Sequence, residues 1–156
     1  IIESFKNGKK IVLFGNGGSA ADAQHIAAEF VGRFSMERES YPAIALTTDS
    51  SIITSISNDY SFEQIFSRQC ESIVSKDDIV IGISTSGNSL NVKNGLITSK
   101  KNGAKTIAFL GNEGGSIKSV VDYSIIVESN STPRIQEVHR VISHLICDIV
   151  EKKMGE

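Results

Sequence analysis

Tryptophan is absent from the 156-residue chain, and proline, cysteine and methionine occur twice each. Cys70 and Cys147 are too few and too far apart for a disulfide framework or a CxxC zinc site. No apolar run approaches the ~18 residues of a membrane span, so no membrane partner is expected. An excess of either charge is also missing. Sixteen basic and 18 acidic residues give a formal net charge of −2, which leaves no basic field to attract nucleic acid or anionic lipid. With 40% apolar and 22% charged residues the chain is not disordered, and residues 1–156 are expected to form a single domain. The chain opens on Ile1 without Met and without a secretory or transit pattern. It is therefore expected to belong to a longer protein, and the cytoplasm is the expected compartment. Histidine is scarce too, with three in all, so each can be weighed singly.

What is present is an alternation of short β-branched runs with longer helical stretches. Ile11–Phe14, Ala43–Leu46, Ile79–Ile83, Thr106–Leu110 and Ser124–Val127 read as strands. Helices are expected from Ser19 to about Phe34, over Ser50–Ile56 and Ser61–Val74, from Asn88 or Ser89 to about Asn102, and from Pro133 to about Met154. Alternation of this kind predicts an α/β fold: a three-layer α-β-α sandwich around a five-stranded parallel sheet, flavodoxin- or Rossmann-like.

Three loops share one character: FGNGGS (Phe14–Ser19), ISTSGNS (Ile83–Ser89) and LGNEGGS (Leu110–Ser116). Each follows a strand and precedes a helix, which places all three on the sheet edge where ligands bind. Gly17 and Gly18 expose backbone N–H groups near a helix start, a natural anion site. The first loop also fits G-x-G-x-x-A, but the acidic residue of a dinucleotide site would fall near Ser35 and Met36, which are not acidic. Ser84, Thr85, Ser86 and Ser89 crowd hydroxyls into the second turn. That composition suits a phosphate held without lysine, and equally an ordinary Ser/Gly turn; two such loops on one edge favour a phosphorylated ligand. LGNEGGS reads as a structural turn.

His25 and Glu29 are four apart on the first long helix and share a face. They could hold a metal ion together, or be a surface pair. In the last helix, Ile135, Val138, Ile142, Leu145 and Ile149 form the expected apolar stripe. His139 and His144 stand roughly 140° apart around the axis and do not readily serve one site, whereas Gln136 and His144, at roughly 80°, can converge. Spacing alone leaves His144 open between ligand and solvated face, and gives His139 a packing or interface position.

The segments GNGGSAADAQHIAAEFVGRF, YPAIAL, NDYSFEQIFSRQ, GISTSGNSLNV and RIQEVHRVISHLI, in this order, closely resemble the phosphoheptose isomerases of the sugar isomerase (SIS) fold family. The resemblance spans nearly the whole chain, except for an N-terminal helical segment usual in that family. It implies that Asn16, Gly17, Gly18 and Ser19 contact the sugar phosphate, that Ser84, Thr85, Ser86 and Ser89 bind its phosphate, and that Asn58 and Asp59 touch substrate. It implies one zinc ion per subunit on His25, Glu29, Gln136 and His144, with Glu29 and His144 as the catalytic pair and Arg33 as a further site residue. It implies a homotetramer with sites at subunit interfaces, acting on a phosphorylated seven-carbon sugar: sedoheptulose 7-phosphate to D-glycero-D-manno-heptose 7-phosphate through an ene-diol, toward bacterial surface glycans such as lipopolysaccharide or capsule. Pro133 stands where the family carries aspartate, which puts any contribution of that carboxylate in doubt. The alternative is a sister SIS tetramer that binds the replication initiator DnaA without isomerase chemistry. Glu29, His144 and Ser86 together favour the enzyme.

Overall fold

The computed structural model describes residues 1–155. Five strands, β1 (Ile11–Gly15), β2 (Ala43–Ala45), β3 (Ile79–Ser84), β4 (Lys105–Gly111) and β5 (Tyr123–Val127), form one sheet in the order β2-β1-β3-β4-β5. Every neighbouring pair is parallel, with Ile11 opposite both Ala43 and Ile79, and Ile79 opposite Lys105. All residues of β1 and β3 are buried. Both faces are covered, which is why these strands read as unbroken apolar runs without alternation.

Successive side chains of β1 enter two separate cores. Ile11 and Leu13 pack with Ala23, Ile26 and Phe30 of α2 (Gly18–Val31) and with Cys147 and Val150 of α6 (Thr132–Gly155). The short α1 (Ile2–Lys6) adds Phe5 to this core. On the other face Val12 and Phe14 meet Ile65, Phe66 and Cys70 of α4 (Ile65–Ile73) and Val92 and Leu96 of α5 (Leu90–Lys101). The expected α-β-α sandwich is therefore observed. α3 (Ser50–Asp59) is capped by Asp49, whose carboxylate accepts from Ile52 N–H at 2.9 Å, and buries none of its residues. A 3₁₀ turn, Phe62–Gln64, leads from it into α4.

The helix expected over Ser61–Val74 is thus split, that expected over Ser50–Ile56 runs on to Asp59, and two further expectations change. α2 stops at Val31 and not near Phe34, because the chain turns at Gly32 and the amides of residues 34–36 are drawn to a carboxylate of α6. The buried row of α6 is also different: Ile135, His139, Ser143, Cys147, Val150 and Glu151. Most polar groups of its polar members find internal partners; Ser143 Oγ, for example, donates to the His139 carbonyl at 2.7 Å. Of the expected stripe, Ile135 and Ile142 face the core, while Val138, Leu145 and Ile149 are exposed and are joined by Val141 in an outward apolar row.

Candidate active site

β1 and β3 are central neighbours, and their crossovers leave toward opposite sides of the sheet. The loops that follow them thus flank the switch point, where open α/β sheets bind ligands. A reciprocal amide pair locks these loops together. Asn16 Nδ2 donates to Asn91 Oδ1, and Asn91 Nδ2 donates to Asn16 Oδ1, both at 2.9 Å. Asn91 is buried, and its Oδ1 also accepts from Val92 N–H. The Asn16 side chain is therefore engaged in fixing the first loop against α5. Asn91 carries no signal that sequence reading could have used.

In the second loop Ser84 Oγ lies 3.0 Å from Ser89 Oγ and 3.4 Å from Ser86 Oγ. Ser89 occupies the N-cap of α5, but its hydroxyl makes no cap hydrogen bond. Hydroxyls and helix-start amides thus gather at one point, and residues 15–19 and 84–89 include no charged side chain. Gly87 holds this turn open with φ +68°, and a Cβ there would collide with the Gly114 carbonyl. The third loop is a buttress, as expected of it. Ile117 N–H donates to the Gly87 carbonyl at 3.0 Å, Ser116 N–H to Asn88 Oδ1 at 2.9 Å, and Asn112 Nδ2 to the Thr85 carbonyl at 3.0 Å. A groove of about 1240 Å³ opens between this buttress and the second loop, lined by Ser86, Asn88, Asn112, Lys118 and Glu128 among others.

The second centre lies on α2 and α6. Gly18 meets Gln136, Asp22 accepts from Arg140 Nε at 3.2 Å, and His25 meets His144, so the residue numbers rise together and the helices run parallel. His25 Nε2 stands 2.9 Å from His144 Nε2 and 3.3 Å from Glu29 Oε1. One donor atom from each of the three falls within 4.8 Å of the others, and all three residues are half-buried. The i, i+4 spacing of His25 and Glu29 aims both at α6, and the Phe34 ring packs 5.6 Å from that of His144. This donor set suits a divalent cation: imidazole and carboxylate ligands of tetrahedral zinc, at about 2.0–2.1 Å from the ion, stand about 3.3 Å from each other. Three of the four expected metal residues are thus together. The fourth, Gln136, lies along the same helix seam, with its carboxamide against Gly18 where a Cβ would stand.

Other expected residues are not drawn into this cluster. Arg33 lies beyond the end of α2, exposed, 3.7 Å from Glu37. Asn58 and Asp59 sit exposed on the last turn of α3, with Asn58 Nδ2 donating to Asp59 Oδ1 at 2.9 Å. His139 is a packing residue. Burial lowers its pKa, and its Nε2 lies 3.0 Å from the Leu110 carbonyl, which can only accept, so the neutral ring carries its proton there. Its buried Nδ1 has no partner among the described residues.

The family model of the SIS domain matches residues 1–111. The chain is 56% identical over 154 residues to a phosphoheptose isomerase from Citrifermentans bemidjiense, covering 99% of this chain and 80% of that protein. The structure of a phosphoheptose isomerase from Francisella tularensis aligns with a TM-score of 0.93 at 37% identity, over 97% of this chain and 81% of that one. A phosphoheptose isomerase structure from Neisseria gonorrhoeae aligns with a TM-score of 0.92 at 40% identity, over 97% and 80%. The chain belongs to the phosphoheptose isomerases, isomerase enzymes built on the SIS domain.

Proposed function

We propose that this enzyme interconverts sedoheptulose 7-phosphate and D-glycero-D-manno-heptose 7-phosphate through an ene-diol. The observation that carries this reading is the meeting of Glu29 and His144 beside His25, on a helix that starts at the hydroxyl and amide cradle. His25 lies seven residues from Gly18, about 10 Å at the helical rise of ~1.5 Å. An extended seven-carbon chain covers a comparable span, so its phosphate can rest on the loops while C1 and C2 reach the centre.

In this reading Ser84, Thr85, Ser86 and Ser89 hold the phosphate with Ser19 and the amides of Gly17 and Gly18. Asn16 keeps the two loops in register, and Arg33, Asn58, Asp59 and Gln136 complete the substrate contacts. Glu29 takes a proton from C1 of the ketose while the C2 oxygen gains one, giving the ene-diol. Glu29 then returns a proton to C2 as the C1 oxygen loses one, leaving the aldehyde. His144 carries protons at the oxygens and at ring opening. A zinc ion held by His25, Glu29 and His144, with Gln136 as a fourth ligand, would polarise the substrate oxygens. A cation on Glu29 weakens it as a base, so its two roles compete.

We further infer a homotetramer working in the cytoplasm. The outward row Val138, Val141, Leu145 and Ile149 supports an association surface. Among the described residues no helix is long and apolar enough to cross a membrane. The test is incubation with sedoheptulose 7-phosphate, with and without a chelator, with products read by NMR. Conversion that the chelator suppresses is expected. No conversion under either condition refutes the reading and leaves the DnaA-binding alternative.

A further inference from the structure

Glu151 is the most elaborately satisfied carboxylate among the described residues and lies outside the site described above. It is buried, yet it accepts from the N–H groups of Phe34, Ser35 and Met36 at 3.0, 2.8 and 2.8 Å, from Ser35 Oγ at 2.9 Å, and from Arg38 Nε at 3.0 Å. Arg38 is nearly as buried, with its guanidinium 4.1 Å from the centre of the Tyr41 ring. Its remaining donors do not go to other side chains. Nη2 donates to the Glu29 carbonyl at 2.7 Å, and Nη1 donates to the carbonyls of Phe30, Gly32 and Glu39 at 2.9, 3.3 and 2.9 Å.

The last turn of α2 contains no basic residue of its own, and its terminal carbonyls need donors. Arg38 supplies them from beyond the helix and adds a cation at the negative end of the helix dipole. The same guanidinium is anchored to α6 through Glu151, seven residues and about two turns past His144. The turn that wraps Glu151 also seats Phe34 against His144. One buried ion pair therefore touches both halves of the centre: the backbone of Glu29 on α2, and the ring packed on His144 of α6.

We propose that Arg38 and Glu151 are positioning residues that fix the α2–α6 spacing at which His25, Glu29 and His144 converge. This rests on the reading of those three as a metal and proton-transfer centre. Arg38 and Glu151 touch neither substrate nor ion; they act through the Glu29 main chain and through Phe34.

A purely structural role would couple loss of stability to loss of function wherever a carboxylate cage is opened. Asp122 supplies the comparison. It accepts from Thr106 N–H and Oγ1, both at 2.9 Å, and pairs with Lys100 at 2.8 Å, far along the sheet toward β5. The test compares Arg38→Lys, which keeps the charge but loses the forked grip, with Glu151→Gln and Asp122→Asn in the full chain. Zn²⁺ affinity is read by competition with a chromophoric chelator, and the His144 imidazole signals by ¹H–¹⁵N NMR of metal-free protein, on samples shown to be folded by circular dichroism. Arg38→Lys and Glu151→Gln are expected to weaken Zn²⁺ binding about ten- to hundredfold, the usual effect of residues that orient metal ligands, and to move the His144 signals. Asp122→Asn is expected to leave affinity within about twofold and the signals in place. Where Glu151→Gln does not fold, Arg38→Lys decides. Wild-type affinity with unmoved signals in folded Arg38→Lys overturns the proposal, as does an equal loss in Asp122→Asn. A wild-type protein that binds no Zn²⁺ would instead refute the metal centre; the His144 signals then decide alone, moved ones supporting positioning and unmoved ones overturning it.

Discussion

The paired amides of Asn16 and Asn91 give the sharpest quantitative handle on the loops. Asn91→Ala removes both reciprocal bonds and the acceptor of the buried Val92 N–H. At about 1 kcal/mol net for each of the three bonds, the loss should be about 3 kcal/mol. Asn16→Ala removes the two reciprocal bonds but leaves the Val92 contact; on the same count about 2 kcal/mol is expected. Because both variants delete the shared pair, the double variant should be little worse than Asn91→Ala, with a coupling energy of about 1–2 kcal/mol. Urea unfolding at one fixed protein concentration measures this from the midpoints, provided the m-value holds. Coupling below about 0.3 kcal/mol would match independent sites and refute the claim that these side chains act as one latch. The single variants should also raise KM more than they lower kcat, since the latch sets loop register and not proton transfer.

Further outcomes concern individual groups. Glu29→Gln should abolish turnover while substrate still binds, as seen by isothermal titration; near-normal activity would end its assignment as the proton shuttle. Burial raises the pKa of Glu151, but the bonds from Ser35, Phe34 and Met36 outweigh it and bring it to about 2. Its folded pKa thus lies below the unfolded value, so its contribution is complete above about pH 4.3 and is lost as pH falls toward 2, and Glu151→Gln should flatten acid unfolding over that window. His139 has the opposite charge type: buried and neutral, it makes the unfolded chain the better proton binder, so stability should fall as pH drops below about 6.5, a slope that His139→Leu removes. Burial pushes the Cys70 and Cys147 thiols up to about 11 and about 12, so neither should react with a disulfide reagent at pH 8 until the protein is unfolded. Leu145→Glu, in the exposed row of α6, should lower the mass measured by light scattering while circular dichroism is unchanged.

The parallel sheet is legible because its strands are short apolar runs, those ending at Phe14, Ile83 and Leu110 closed by glycine or serine, and the two candidate ligand loops follow directly from that punctuation. His25 and Glu29 are legible from helical spacing. Helical spacing leaves His144 open between ligand and solvated face, and only the resemblance joins it to His25 and Glu29, because they lie 119 and 115 positions away. The buried row of α6 defeats a hydrophobic count because His139, Ser143 and Glu151 occupy it while valine and leucine face outward. Such a row can be recognised only once the carbonyl of Leu110 and the amides of residues 34–36 are in place. The end of α2 is missed for the same reason: its cap is Arg38, beyond the helix, held by a carboxylate 113 positions further on.

On the reading that the hydroxyl cradle after β3 holds the substrate phosphate, the same cradle bears on how substrate arrives. Fixed dipoles act over a much shorter range than full charges, and the loops at residues 15–19 and 84–89 contain no cation. The net charge of −2 adds no attraction for an anion approaching from a distance. Long-range steering, the part of association that salt screens, is thus small for these loops. If these loops hold the substrate phosphate as proposed, its capture should proceed by encounter followed by short-range fit, with an association rate that depends little on ionic strength.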